Sequence, residues 1–288
     1  MNTYLRAIGF SGVRSNAQLR PVLDHILNDP ETKILMCEGE EAKGYFTQSF
    51  GDNIGIKSYV EYQGEGPERE EYYFPYADSK TLTIDGSCEV ERKGDMNALL
   101  GMCEDSGLPI SLIFFVSNAM EYISRSHRGP VKVTGAYITG LCTEGKVLLP
   151  VRSTVMQRQL AGVVASKQAG LVEAAKDGDE KAMETLAMDD MRLTEEVAGR
   201  IDKEDIYSLI DTYFMPSGME SDRYSIFGQI TLVEQLENIL TGEDLWRLTL
   251  KCNGLDFTVV INQKDLLGQP APGLRFKGDV WLQGILRF

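Results

Sequence analysis

The most restrictive feature of this sequence is the alternation of apolar and polar residues between positions 223 and 288. In residues 245–252, Trp246, Leu248, Leu250 and Cys252 alternate with Arg247, Thr249 and Lys251, and residues 255–262 and 276–288 repeat the pattern. Successive side chains of a strand point to opposite faces, so this period predicts strands with one buried face. With a short turn or helix at residues 263–267, the element order resembles an OB-type barrel, and an SH3-like barrel or a plain meander fits nearly as well.

Residues 1–152 predict an α+β domain. Ser15 and Asn16 precede apolar residues at helical spacing, which indicates a capped helix that ends at Asp29. Short strand-like runs at 33–37, 44–48, 54–62, 71–76 and 81–90 have no helix between them, which favours an antiparallel sheet. A helix at 96–103 follows, then an apolar run at 110–116 that fits a strand or a buried helix. Residues 131–142 and 146–151 read as a hairpin.

The segment between these parts, residues 153–222, predicts a helical connector. Gly178 suits the left-handed position that closes one helix and Asp179 suits the N-cap of the next, while residues 203–214 predict a further helix. The chain is therefore expected to be α+β, with an antiparallel-sheet domain at 1–152, the connector at 153–222 and a small β-barrel-like domain at 223–288.

Composition and cysteine spacing predict a cytoplasmic protein. The 43% hydrophobic content is ordinary for a globular chain, the N-terminus lacks the apolar core of a secretory signal, and the longest apolar run is too short to span a bilayer. The 5 cysteines are odd in number and widely spaced, which is typical of reduced, buried cysteines. Neither of the 2 histidines has ligands at metal spacing, so we expect no metal and no cofactor.

The formal charge of −14 argues against generic nucleic-acid binding. The acid is concentrated in the middle, because residues 155–222 hold 7 basic and 15 acidic residues, whereas residues 223–288 hold 7 of each. A local anion site in the last part therefore remains compatible with the sequence. The acidic helices at 155–215 are a candidate docking surface for a basic protein partner.

Motifs of catalysis are missing from the sequence. It has no P-loop, dinucleotide fingerprint, nucleophile elbow or zinc-protease signature. Its runs of carboxylates, such as Glu68/Glu70/Glu71, are usually solvated faces, because acid–base catalysis needs burial to separate two pKa values. The sequence therefore favours a protein without enzymatic activity, and an enzyme with an unrecognised carboxylate site is an alternative.

Trp281 is the sharpest candidate for a ligand contact. Period-two alternation puts it on the polar face of the last strand, and cations of this strand and of residues 245–252 extend that face. The predicted ligand-binding residues are Trp281, Lys277, Arg287, Arg247 and Lys251. An aromatic ring among cations suits a nucleic-acid strand, a sugar or another anionic ligand. The alternative is that Trp281 packs against the helical middle and buries an interdomain contact.

Arg125, His127 and Arg128 form the most basic cluster of the first part. Such a cluster suits the binding of a phosphate or carboxylate through charge-assisted hydrogen bonds. The alternative is a polar turn before the strand at residue 131.

Three segments carry a resemblance: Tyr4-Leu-Arg-Ala-Ile-Gly-Phe-Ser11, the middle residues 175–182 and 204–216, and Arg275-Phe-Lys-Gly-Asp-Val-Trp-Leu-Gln-Gly284. Together they resemble an uncharacterised bacterial family from Gram-positive anaerobes, a domain of unknown function. The resemblance implies a cytoplasmic bacterial setting and transfers no catalytic residue. The resulting prediction is a binding or regulatory protein, with a structural protein-interaction partner and an enzyme as alternatives.

Overall fold

The computed structural model describes residues 2–38, 41–63, 69–93, 98–103, 111–149, 181, 212–217 and 221–288. Residues 1–149 and 212–288 form one compact unit, and residues 150–211 form a second. Apart from Lys181, the described residues all belong to the first unit.

The first unit begins with a short 3-10 helix, a helix and a four-stranded sheet. These elements are η1 (Thr3–Ile8), α1 (Asn16–Asn28), β1 (Thr32–Glu38), β2 (Glu41–Gly51), β3 (Ile54–Gln63) and β4 (Arg69–Ala77). The strands pair antiparallel in chain order, as their consecutive runs predict. The Ser15 side chain accepts a hydrogen bond from the Gln18 N–H at the start of α1, which confirms the predicted cap.

The remaining strands form a second, larger sheet. Its elements are β5 (Ile84–Asp85), β6 (Glu89–Arg92), β7 (Leu99–Cys103), β8 (Leu112–Val116), α2 (Ala119–Ser126), β9 (Gly135–Leu148), β10 (Tyr213–Pro216), β11 (Arg223–Asn238), β12 (Glu243–Cys252), β13 (Leu255–Asn262), η2 (Gln263–Asp265), β14 (Leu266–Leu267) and β15 (Arg275–Arg287). The strands β12, β13 and β15 lie where the alternating pattern predicts them.

Five of these strands pair in a closed circle, here called the five-stranded ring: β11, β12, β13, β9 and β15, with β15 pairing back onto β11. All five pairings are antiparallel except that of β13 with β9. Phe257, Phe276 and Leu282 on these strands are fully buried. The strands β8, β7 and β6 extend the sheet from the side of β15.

The predicted α+β class is wrong, because the described residues are mainly β, in two sheets. The prediction of a self-contained barrel at 223–288, of the OB or the SH3 type, is also corrected, since the ring takes β9 from the first part of the chain. The predicted hairpin at 131–151 is one strand, β9. At its expected turn, a Cβ on Gly145 would meet the Phe276 ring at 2.7 Å, so this glycine lets β9 continue beside β15.

Two further predictions in the first part are corrected. The expected helix at 96–103 is, in its described residues, the strand β7, whose burial alternates with period two and which pairs with β6 and β8. The expectation of reduced cysteines is wrong for two of them, because Cys88 and Cys103 form a disulfide. Cys142 and Cys252 are free and buried.

The predicted helical connector at 153–222 lies almost wholly outside the described residues, and so do the acidic docking helices at 155–215 except for a few positions. Where its end is described, Tyr213–Pro216 is a strand paired with β11. The three-part division at 152 and 222 stays a prediction. In the described ranges, no helix combines the length and apolar content that crossing a bilayer requires.

Candidate ligand-binding site

Trp281 packs between two rings that come from distant parts of the chain. Its ring centroid lies 5.3 Å from that of Tyr4 in η1 and 5.3 Å from that of Phe115 in β8. Its indole N–H donates a hydrogen bond of 3.0 Å to Oδ2 of Asp222, just before β11. Only 7% of Trp281 is exposed, so its face of β15 is covered by neighbouring elements rather than open to solvent.

The rings continue from Trp281 into the four-stranded sheet. Phe115 contacts Phe74 of β4 with centroids 4.8 Å apart, and Phe74 contacts Tyr72 at 6.3 Å. Tyr72 in turn stacks on Tyr59 of β3 at 5.0 Å. Aromatic pairs at these distances stabilise each other beyond the area they bury, so this row of rings joins the two sheets and fixes their orientation.

A cavity of about 370 Å³ opens beside this row of rings and is here called the aromatic cavity. Its described lining residues are Asn2, Thr3, Tyr4, Tyr72, Tyr73, Phe74, Lys93, Ala98, Phe115, Arg223 and Trp281. Asn2 holds η1 against this wall, because its side chain accepts from the Tyr4 N–H and its own N–H donates to the Tyr73 hydroxyl. The site is therefore assembled from η1, β4, β8, β11 and β15, together with Lys93, directly after β6, and Ala98, directly before β7.

Asp222 organises one wall of the aromatic cavity. Its side chain is fully buried, and its Oδ2 also accepts from Nζ of Lys93 at 2.7 Å. The other oxygen, Oδ1, is buried and has no hydrogen-bond partner among the described residues. One carboxylate thus fixes both the indole of Trp281, on β15, and the ammonium of Lys93, directly after β6.

Arg223 is the second cation of the cavity. It lies directly opposite Trp281 in the antiparallel pairing of β11 with β15, so the two side chains share one face of the sheet. Its guanidinium carbon lies 5.6 Å from the centroid of the Tyr4 ring. A planar cation therefore stands beside the indole and near a phenol ring.

Tyr72, which lines the cavity, and its hydrogen-bonded neighbour Tyr45 are neutral at physiological pH. Burial raises the pKa of Tyr45 to about 12, although its hydroxyl is 3.2 Å from that of Tyr72. Burial likewise raises the pKa of Tyr72. These phenols can donate and accept hydrogen bonds, but they do not supply a general base at neutral pH.

The polar face of β15 is held against the four-stranded sheet by hydrogen bonds. Nε2 of Gln283, two residues from Trp281, donates to the Pro75 carbonyl oxygen at 2.7 Å. Nearby, Nζ of Lys57 donates to the Ser117 carbonyl oxygen at 3.0 Å, and burial lowers the pKa of this lysine. The face on which Trp281 was predicted is thus an internal contact between two sheets, with the aromatic cavity at one end.

The structure does not bring the five predicted ligand residues together. Lys277 lines a different cavity of about 1,020 Å³, beside η2 and β14. Arg247 is only 2% exposed and binds the side chain and carbonyl oxygen of Asp52. Lys251 is exposed on the same strand, β12, which is not a neighbour of β15 in the ring. Arg287 pairs with Asp85. Of the five, Trp281 alone lines the aromatic cavity.

The basic cluster of the first part lies at the C-terminal end of α2. Arg125, His127 and Arg128 are all exposed there. Arg125 pairs with Glu121 at 3.0 Å, and its guanidinium carbon lies 4.5 Å from the Phe288 ring centroid. Cations at this end of a helix also interact favourably with its dipole. Anion binding by this cluster stays a prediction.

Sequence reasoning missed Lys93, Asp222, Arg223, Tyr4 and Phe115 as site residues. Tyr4 lies in a segment that carries the family resemblance, and Phe115 lies in the apolar run at 110–116. No sequence pattern near either residue links it to Trp281. Among the residues that the structure describes, no group of three or more His, Cys, Asp or Glu side chains is placed to hold a metal ion.

Fold and site together define a mainly-β protein with two sheets and an aromatic cavity at their junction. The family described as "Domain of unknown function, E. rectale Gene description (DUF3881)" matches residues 5–284. The chain belongs to this family, as the resemblance of its three segments indicated, and the family has no assigned activity. Neither curated proteins nor solved structures give a match to the chain.

Proposed function

We propose that this chain is a non-enzymatic binding protein whose small ligand inserts a flat ring into the aromatic cavity. The observation that carries the proposal is Trp281, whose ring contacts two aromatic neighbours and whose indole N–H is fixed by buried Asp222. Aromatic walls with a few convergent polar groups are typical of small-molecule sites.

The size of the cavity supports a small ligand. Its volume of about 370 Å³ lies near the lower end of the roughly 300–1,000 Å³ that such sites occupy. The Tyr4, Phe74 and Phe115 rings are fixed by contacts with other rings, so they form a wall before any ligand arrives. A preformed wall avoids the entropy that a loose site would lose on binding.

The cellular location of the protein is part of the proposal. The family description refers to E. rectale, and we place the protein in the bacterial cytoplasm. The Cys88–Cys103 disulfide is an observation against this placement, because disulfides are rare in reducing compartments. Alkylation of thiols during lysis of cells that carry the protein, followed by mass spectrometry, tests the placement. A fully oxidised pair in the native protein would count against the cytoplasm.

The two tryptophans of the chain provide a direct test of ligand position. Protein labelled with ¹⁵N in the indole gives one NMR signal for Trp281 and one for Trp246, which lies on β12 away from the cavity. Trp246→Phe assigns them. We expect 2-naphthamide or 2-naphthoate to shift the Trp281 signal saturably and to leave the Trp246 signal in place.

Variants of Trp281 test whether its ring contacts the ligand. Trp281→Ala is expected to weaken binding roughly tenfold in calorimetry, since one stacking contact contributes about 1–3 kcal/mol. Trp281→Phe, which preserves more of the packing, is expected to weaken it less, and circular dichroism checks that both variants fold. If neither compound shifts the Trp281 signal more than that of Trp246, the proposed function is wrong.

A further inference from the structure

Strand β6 is the outermost strand at one end of the larger sheet, in the part that the structure describes. The strand order ends with β8, β7 and β6, and the four residues Glu89–Arg92 pair with residues 99–102 of β7. Three of the four are exposed, and Val90 is half-buried. An edge strand with so little buried surface opens locally at a lower free energy than the strands of the core.

The Cys88–Cys103 disulfide fastens one end of this strand pair. Glu89 lies opposite Met102, so the two cysteines occupy the next position of the ladder, where β7 ends. The bond limits how far β6 and β7 can separate. It therefore removes chain freedom from the locally opened state, as it does from the unfolded chain.

The other end of the same strand pair reaches the aromatic cavity. The Lys93 N–H donates to the Ala98 carbonyl oxygen at 2.9 Å, one position beyond the last pair of the ladder, and both residues line the cavity. Nζ of Lys93 lies 2.7 Å from Oδ2 of Asp222, the atom that also accepts from the Trp281 indole. One short two-stranded ladder thus connects the disulfide with Trp281.

We propose that Cys88–Cys103 is a reversible redox site, and that its reduction by a dithiol loosens β6 and alters the Trp281 side of the aromatic cavity. With the bond broken, β6 separates from β7 more often, and Lys93 then leaves Asp222. A buried carboxylate that loses its cationic partner is destabilised, so the surroundings of the indole change. The proposal concerns the chain without ligand and goes beyond the proposed function.

The exchange begins at Cys88, the more exposed of the two cysteines. Cys88 is 9% exposed and lies between the exposed Ser87 and Glu89, whereas Cys103 is 1% exposed. A thiolate of the dithiol bonds to Sγ of Cys88, the S–S bond breaks, and Cys103 leaves as a thiolate that takes up a proton. The second thiolate of the dithiol then closes the reductant's own disulfide and releases Cys88 as a thiolate, which is also protonated. Two electrons pass from the dithiol to the protein.

The free cysteines of the described ranges do not compete in this exchange. Cys142 and Cys252 are buried, and burial raises the pKa of each thiol to about 12, so neither supplies a thiolate at neutral pH. A reversible bond also suits the proposed cytoplasmic location, because disulfides of cytosolic proteins are usually transient and catalytic or redox-sensing. This last argument alone rests on the proposed location.

Equilibration of the native protein with mixtures of reduced and oxidised dithiothreitol tests the redox site. Free thiols are then blocked with N-ethylmaleimide, and the masses of the peptides that contain Cys88 and Cys103 report the state of the bond. We expect the bond to open without denaturant and to re-form in excess oxidised dithiothreitol. A bond that opens only in denaturant would overturn the proposal.

Hydrogen exchange and the two indole NMR signals test the connection to the cavity. On reduction, we expect the β6 amides to exchange at least about tenfold faster, since closing a loop of 15 residues can change such an equilibrium by up to roughly 100-fold. The Trp281 signal should move, and that of Trp246 should stay. The double change Cys88→Ser and Cys103→Ser should show both effects without reductant, whereas Cys252→Ala should respond like the parent.

Lys93→Met tests the path from β6 to the tryptophan, and circular dichroism checks its fold. Reduction should still speed exchange in β6 but should move the Trp281 signal less than in the parent. Arg92→Met is the matched control at an exposed position of β6 and should respond like the parent. If reduction of the parent changes neither β6 exchange nor the Trp281 signal, the connection is wrong. Failure of the naphthalene compounds to bind would contradict the proposed function alone.

Discussion

The indole N–H of Trp281 donates a hydrogen bond of 3.0 Å to Asp222, 59 residues away in the chain, and the same carboxylate oxygen accepts from Lys93. A fully buried carboxylate is stable only when charged or polar donors surround it. Asp222 is therefore both a structural element and the group that positions two sides of the aromatic cavity.

Replacing Asp222 tests this double role. Asp222→Asn keeps an acceptor for the indole N–H but removes the charge that pairs with Lys93. We expect the free energy of unfolding to fall by about 1–3 kcal/mol, and the Trp281 indole signal to move. Urea unfolding measures the first effect and NMR the second. Asp256→Asn, at an exposed position of β13, is the control and is expected to change stability by less than about 0.5 kcal/mol.

The Cys88–Cys103 disulfide is expected to stabilise the edge of the larger sheet. It joins residues 15 positions apart, for which the loss of chain entropy in the unfolded state corresponds to about 3 kcal/mol. The double change Cys88→Ala and Cys103→Ala should lower the free energy of unfolding by about this amount. A dithiol reductant should produce a similar loss in the parent and none in the double variant. An equal response of both proteins would contradict the prediction.

Gly44 is expected to be the least replaceable glycine of the four-stranded sheet. A Cβ at this position of β2 would collide with the carbonyl oxygen of Ile34 on the neighbouring strand β1. Backbone atoms cannot turn aside, so Gly44→Ala should destabilise the fold by about 3 kcal/mol or more, measured by thermal or urea unfolding. Gly86→Ala is the control, because a Cβ there meets nothing within 4 Å.

Stability is expected to fall steeply at alkaline pH. Burial raises the pKa of Tyr45 to about 12, whereas a tyrosine in the unfolded chain titrates near 10. Below about pH 10 both states keep the proton and the contribution of Tyr45 is fully present; between about pH 10 and 12 only the unfolded state loses it. Each such tyrosine then lowers stability by about 1.4 kcal/mol per pH unit as pH rises.

Tyr45→Phe removes one titrating group while keeping the ring. Urea unfolding between pH 9 and 12 should show a shallower loss of stability in this variant than in the parent. Tyr72 and Tyr76, whose pKa values are also raised by burial, keep part of the dependence. A variant whose loss of stability is as steep as that of the parent would show that Tyr45 ionises alike in both states.

The parts of the fold that sequence predicted are those set by local periodicity. The alternation at 245–252 and 255–262 places β12 and β13, and the spacing after Ser15 places α1 with its cap. The helix predicted at 96–103 is a strand over Leu99–Cys103, because short apolar runs fit either period and pairing with β6 and β8 selects the strand. The predicted α+β class was also wrong because pairing with distant strands decides whether a segment joins a sheet, and local periodicity does not report that pairing.

By itself, the sequence determined the alternating strands of the last part, the capped first helix, and Trp281 as the residue worth testing. Only the tertiary structure decided that β9 completes the five-stranded ring and that Asp222, Arg223 and Lys93 meet at the tryptophan. The physical reason is the sequence distance over which each kind of interaction acts. Side-chain periodicity acts over a few residues and is written in the chain, whereas register and sheet order depend on contacts between residues tens to hundreds of positions apart.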